Sequence, residues 1–115
     1  MSGRDDIKVQ TEQIDQALVV QPHGEIDLSR SPAFRTYLTQ AVKKKPERLI
    51  IDLAEVPYMD SSGVATLVEA MQTARRTNAK LVLCGLQDKV RSIFEIARLD
   101  MVFTIVGTRD EALQS

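Results

Sequence analysis

Val64, Leu67, Val68, Met71 and Ala74 recur at the i, i+3, i+4, i+7 interval of one helical stripe, with Glu69, Gln72, Arg75 and Arg76 largely off it. That spacing predicts an amphipathic helix over residues 62–77, starting close to Ser61. Just upstream, Leu49-Ile50-Ile51-Asp52-Leu53 is a nearly continuous apolar run between polar residues, as expected of a short strand covered on both faces. Residues 80–84 read as another strand, reached through a turn at Asn78-Ala79. Residues 7–13 and 17–21 form two more, separated by the polar pair Asp15-Gln16, which predicts an antiparallel hairpin. Ser31-Pro32 announces a helix with Ser31 as N-cap and Pro32 at the first helical position, carrying Phe34, Tyr37, Leu38, Ala41 and Val42 and ending near Lys45-Pro46. Val90, Ile93, Phe94 and Ala97 mark a third helix over residues 88–97. A short strand at 103–106 and a last helical turn at 109–113, capped by Thr108, complete the chain.

The order β-β-α-β-α-β-α-β-α implies an α/β domain with a mixed sheet. Crossovers through helices need parallel neighbours, and the opening hairpin needs antiparallel ones. At 115 residues the chain is one domain, with residues 1–6 expected as a flexible N-terminus and 7–115 as the folded unit. With 43% apolar and 27% charged residues it reads as an ordinary soluble protein, and a formal net charge of −1 gives no overall attraction to nucleic acid or an acidic membrane. Lys43-Lys44-Lys45 is the one basic run; it reads as a solvated helix end favoured by the helix dipole, with a phosphate-binding patch as the alternative. Cys84 is the single cysteine, which excludes an internal disulfide, and its apolar surroundings read as core. No segment resembles a signal peptide or is long and apolar enough to span a bilayer, so the cytoplasm is the expected location.

The chemistry concentrates in Tyr58-Met59-Asp60-Ser61-Ser62-Gly63-Val64, where a strand-to-helix loop delivers two adjacent hydroxyls to a helix start. The first N–H groups of a helix lack partners within it, so Asp and Ser side chains cap them, and the positive end of the dipole would also favour a phosphate. Enzyme chemistry is otherwise thin. His23 is the only histidine, and neither a Ser-His-Asp set nor a Gly-rich phosphate loop is present. Glu25, Asp27 and Asp60 fall on loops expected near one sheet edge, where Mg²⁺ is geometrically possible and plain capping is the alternative; no metal or cofactor is expected. Asp52 invites comparison with the phosphoacceptor of response-regulator receivers, but here a hairpin comes first and Asp5-Asp6 precede it.

Gly24-Glu25-Ile26-Asp27, Ile50-Ile51-Asp52-Leu53, Met59-Asp60-Ser61-Ser62-Gly63-Val64, Leu81-Val82-Leu83-Cys84-Gly85 and Val90-Arg91-Ser92-Ile93-Phe94, in that order and spacing, resemble bacterial anti-sigma factor antagonists of the STAS-domain family. The resemblance implies a small mixed sheet with helices packed mainly on one face. It implies a regulatory protein rather than an enzyme. The unphosphorylated form binds an anti-sigma factor that is also a serine kinase, and so frees the sigma factor. Phosphorylation at the position of Ser61 ends that binding, and a serine phosphatase reverses it. Asp60, Ser62, Gly63, Glu25 and Asp27 are then the expected surroundings of the phosphosite and of the partner surface, with Gly63 as a bare point for a partner's backbone. Direct nucleic-acid binding and membrane insertion are not expected; a monomer or weak dimer is. A non-phosphorylated scaffold, or an accessory subunit of a transporter or stress-signalling complex, is the alternative. Two positions depart from the pattern: Arg98 where many relatives carry glycine, and Ala65 where glycine or serine is frequent.

Overall fold

The computed structural model describes residues 6–115. The terminus expected over residues 1–6 lies, Asp6 excepted, outside the described residues. The elements are β1 (Lys8–Ile14), β2 (Ala17–His23), α1 (Ser31–Lys43), β3 (Arg48–Asp52), α2 (Ser61–Arg76), β4 (Lys80–Cys84), α3 (Asp88–Ile96), a 3-10 turn (Leu99–Met101), β5 (Thr104–Val106) and α4 (Arg109–Gln114). The strands lie in sequence order in one five-stranded sheet. β1 runs antiparallel to β2 with Ile14 opposite Ala17, and the remaining pairs are parallel, as the element order requires.

The continuous apolar strands follow from burial on both faces. Leu18, Val20, Leu49, Ile51, Leu81 and Leu83 join the large core beneath α1, α2 and α3, with Phe34, Leu38, Leu67 and Phe94. The alternate residues Ala17, Val19, Ile50, Val82 and Cys84 face the other way, against Ala112 and Leu113 of α4. Side chains alternate along a strand, so a strand sandwiched between helices cannot afford a polar face. Each large apolar side chain removed from water contributes about 1.5–3 kcal/mol. Phe94 meets Phe103 edge to face, with centroids 5.5 Å apart at 69°, which pins α3 to the segment leading into β5. Cys84 is fully buried, and burial first, then the charge of Asp52, pushes its thiol up to about 12, so it is an inert core residue.

Helix ends show where local signals succeed and fail. Thr108 caps α4, its hydroxyl oxygen accepting from the N–H of Glu111. Ser31 does not cap α1: the N-cap is Arg30, which makes no side-chain capping bond, and Ser31 and Pro32 are the first two helical residues. Asp27 organises that entrance instead, its carboxylate accepting from the N–H groups of Ser29 and Arg30 and its carbonyl from those of Arg30 and Ser31. A Ser-Pro pair fits the N-cap and the first turn equally well, so sequence alone could not separate them. Beyond α3 the chain turns through Arg98 at φ +61°, a left-handed conformation reached without glycine.

Candidate functional site

β2 and β3 are parallel neighbours, so the loops that follow them emerge at the same sheet edge, each ending in a helix N-terminus. Ile26 and Met59 form a parallel bridge that continues the pairing past the strands. The Ile26 N–H donates to the Tyr58 carbonyl at 3.1 Å, and the Asp60 N–H donates to the Ile26 carbonyl at 3.1 Å. Gly24, at φ +96°, makes the turn that begins this approach, its N–H donating to the Glu55 carbonyl at 2.9 Å. Asp27 and Asp60, each one residue beyond the bridge, are thereby brought to the starts of α1 and α2.

Asp60 is the N-cap of α2. Its Oδ1 accepts from the Ser62 N–H at 2.9 Å, the Gly63 N–H at 3.3 Å and the Ser62 hydroxyl at 2.5 Å. The Ser62 hydroxyl, followed by the backbone N–H groups of Gly63, Ser62 and Leu28, holds the Asp60 carboxyl below the usual range, against the opposing pull of burial. The Asp27 carboxyl is also lowered, first by the Ser29 hydroxyl at 2.8 Å and then by the backbone of Arg30 and Ser29. Asp27 is thus turned onto its own helix entrance, and Asp60 onto its own with the Leu28 N–H of the other loop also in reach. No group of three or more His, Cys, Asp or Glu able to hold a metal ion occurs among the described residues.

The two serines differ sharply. Ser61, the first residue of α2, is exposed, and none of the site's hydrogen bonds reaches its hydroxyl. Ser62 is partly buried, and its Oγ lies 2.5 Å from Asp60 Oδ1 and 2.6 Å from Ser31 Oγ. Gly63 faces inward. A Cβ there would lie 2.5 Å from Met59 Cγ and 3.1 Å from the Ile26 carbonyl oxygen, so glycine is required by packing within the domain. The first turn of α2 presses that buried residue onto the Ile26–Met59 bridge, which accounts for glycine at this position from within the domain. Glu25 is exposed; its carbonyl accepts from Arg30 Nη1 at 3.1 Å, and its carboxylate takes no part in the hydrogen bonding around Ser61. Leu28 and Tyr58, on the two loops, are large apolar side chains that remain 75% and 43% exposed.

Two side chains escaped the sequence reading. Ser31 reads in sequence as a helix cap, and nothing in its own stretch signals a partner on α2. Leu28 sits between Asp27 and Ser29 in a turn whose exposure no periodicity reveals. Asp52, by contrast, is unavailable as a phosphoacceptor. It is 7% exposed, its Oδ2 accepts from Arg109 Nη2 at 3.0 Å, Arg109 Nε at 3.2 Å and Gln21 Nε2 at 3.1 Å, and its Oδ1 accepts from the Ala54 N–H at 3.0 Å.

Residues 8–112 match the sequence profile of the STAS domain. The chain is 38% identical over 88 residues to the anti-sigma-B factor antagonist of Listeria monocytogenes, covering 76% of this chain and 77% of that one. The crystal structure of an anti-sigma factor antagonist from Mycobacterium paratuberculosis superposes with a TM-score of 0.88 at 27% identity, covering 99% of this chain and 97% of the other. The phosphorylated form of the Bacillus cell fate determinant SpoIIAA shares the fold, with a TM-score of 0.71 at 21% identity over 93% of this chain and 97% of that one.

Proposed function

The chain belongs to the STAS domain family, and from that premise we propose that it is an anti-sigma factor antagonist whose binding is switched by phosphorylation of Ser61. The unmodified protein binds an anti-sigma factor with serine kinase activity in the cytoplasm and frees the sigma factor. The kinase then adds phosphate to Ser61, and a serine phosphatase removes it.

The observation that carries this reading is the contrast between the two hydroxyls, Ser61 exposed and uncommitted, Ser62 tied to Asp60 and Ser31. A phosphoserine brings about 1.5 to 2 negative charges at neutral pH. The α2 N-terminus favours negative charge in general, but the N–H groups of Ser62 and Gly63 are already held by Asp60. The phosphate therefore projects outward beside a carboxylate, and like-charge repulsion keeps the modified state poised for reversal. A partner seated over Leu28, Tyr58 and a neutral Ser61 would have to desolvate that charge. The cost is on the order of a few kcal/mol, a factor of a hundred or more in affinity.

The direct test is to incubate the purified protein with Mg-ATP and lysate of its source organism and to locate added phosphate by peptide mass spectrometry. Phosphate on Ser61 is expected. Its absence, in a lysate with demonstrated kinase activity, would favour a constitutive scaffold in which this surface binds without being modified.

A further inference from the structure

Ser31 Oγ, on a side chain in a residue only 3% exposed, lies 2.6 Å from Ser62 Oγ and 2.9 Å from the Asp27 carbonyl oxygen, while Ser62 Oγ lies 2.5 Å from Asp60 Oδ1. Three contacts thus join four oxygens. Each hydroxyl carries one proton, and a carbonyl or an ionised carboxylate carries none, so one contact has no proton in it. The Asp27 carbonyl already accepts from the N–H groups of Arg30 at 3.1 Å and Ser31 at 2.9 Å. The two shorter contacts, both at the short end of the O–H···O range, therefore take the protons. Ser31 donates to Ser62, and Ser62 donates to Asp60. The Ser62 proton is committed, and Ser31 occupies one of its lone pairs.

We propose, building on the reading of Ser61 as phosphate acceptor, that Ser31 is a positioning residue that sets regiospecificity: by holding Ser62 onto Asp60 it withholds the second hydroxyl and confines phosphoryl transfer to Ser61. In that transfer Ser61 Oγ bonds to the γ-phosphorus of ATP, the bond from that phosphorus to the β,γ-bridging oxygen breaks, ADP leaves, and the hydroxyl proton passes to a base on the kinase. Ser62 could undergo the same reaction only after turning away from both of its partners. Ser31 belongs to α1 and Ser62 to α2, so the choice between adjacent serines is made by the packing of two helices. A purely structural Ser31 would affect stability but not which serine carries phosphate.

Four full-length proteins decide it: native, Ser31→Ala, Ser61→Ala and the double variant, each shown to be folded by circular dichroism and incubated with Mg-ATP and source lysate. The native chain should carry phosphate on Ser61. Ser62 should be labelled about five-fold faster in the double variant than in Ser61→Ala, the factor expected for loss of one hydrogen bond of ordinary net strength. Equal labelling of Ser62 in those two proteins, with native Ser61 modified, overturns this inference and leaves the switch standing. Labelling of native Ser62 as fast as Ser61 also overturns it. A native chain that takes no phosphate at either serine overturns the Ser61 reading and this one with it.

Discussion

Ile26 and Met59 pair as a parallel bridge beyond the ends of β2 and β3, and through it the loop that carries Asp27 is joined to the loop that carries Asp60. Both side chains are fully buried. The bridge is the floor on which α2 begins, and it fixes where in the fold the exposed Ser61 stands.

Gly63 reports on this floor. In Gly63→Ala the added carbon meets Met59 Cγ at 2.5 Å, Ile26 Cγ2 at 3.0 Å and the Ile26 carbonyl oxygen at 3.1 Å. Met59 can yield, but the carbonyl belongs to the bridge. Overpacking of this kind costs about 1–3 kcal/mol, offset by up to about 1 kcal/mol of helix propensity. Because a backbone carbonyl is met, the cost falls at the upper end of that range, and a net loss of about 2 kcal/mol in urea denaturation is expected. Stability equal to or above native would mean that the α2 start is loosely seated.

The cap at Asp60 should make stability depend on pH in a known direction. Its carboxyl titrates below the ordinary value because the Ser62 hydroxyl and three backbone N–H groups favour the charged form. A depressed folded-state pKa contributes stability that is present above the unfolded value of about 3.9 and lost as pH falls through the folded value. Asp60→Ala should therefore cost about 1 kcal/mol near neutrality, the usual loss for an N-cap. The difference from native should shrink as pH is lowered from about 5 towards 2. A gap that holds constant across that range would show that the carboxylate charge plays no part in the cap.

Arg98 carries a different strain. It sits at φ +61°, is exposed, and forms no ion pair among the described residues. An L-residue held there pays about 1–2 kcal/mol that glycine avoids, whereas glycine loses about 0.5–1 kcal/mol more on ordering. Arg98→Gly should stabilise by about 0.5–1 kcal/mol, or roughly 3–5 °C in Tm. An unchanged or lower Tm would show that the Arg98 side chain stabilises the turn by contacts of its own.

The legible parts of this fold are those set by periodicity. The α2 stripe and the apolar runs at β3 and β4 place a helix and two doubly covered strands without reference to anything distant. The resemblance, not the periodicity, supplied the single-sided helix layer, and the structure adds that α4 covers the opposite face through Ala112 and Leu113. What stayed hidden depends on pairs far apart in sequence. Ile26 with Met59 and Ser31 with Ser62 leave no trace in either stretch alone. Gly63 was legible as a close approach, but whether that approach came from inside or outside the domain depended on Ile26, which only the fold brings near.

The sharpest consequence for binding lies at Ser61. The side chain is exposed and free of the capping network, so replacing it should leave the domain folded. Ser61→Ala removes the acceptor and should bind the anti-sigma factor constitutively, which makes it the bait for recovering that partner. Ser61→Asp places a negative charge next to Asp60, where the proposed binding mode would bury it under the partner. Asp carries less charge than phosphoserine and one acceptor group fewer, so it should weaken binding by about ten-fold or more, short of the hundred-fold or more expected for the phosphate itself. Titration calorimetry against the recovered partner measures both variants. Equal affinities would sink the electrostatic switch even if Ser61 proves to be modified, because charge at this position would then not be what the partner reads.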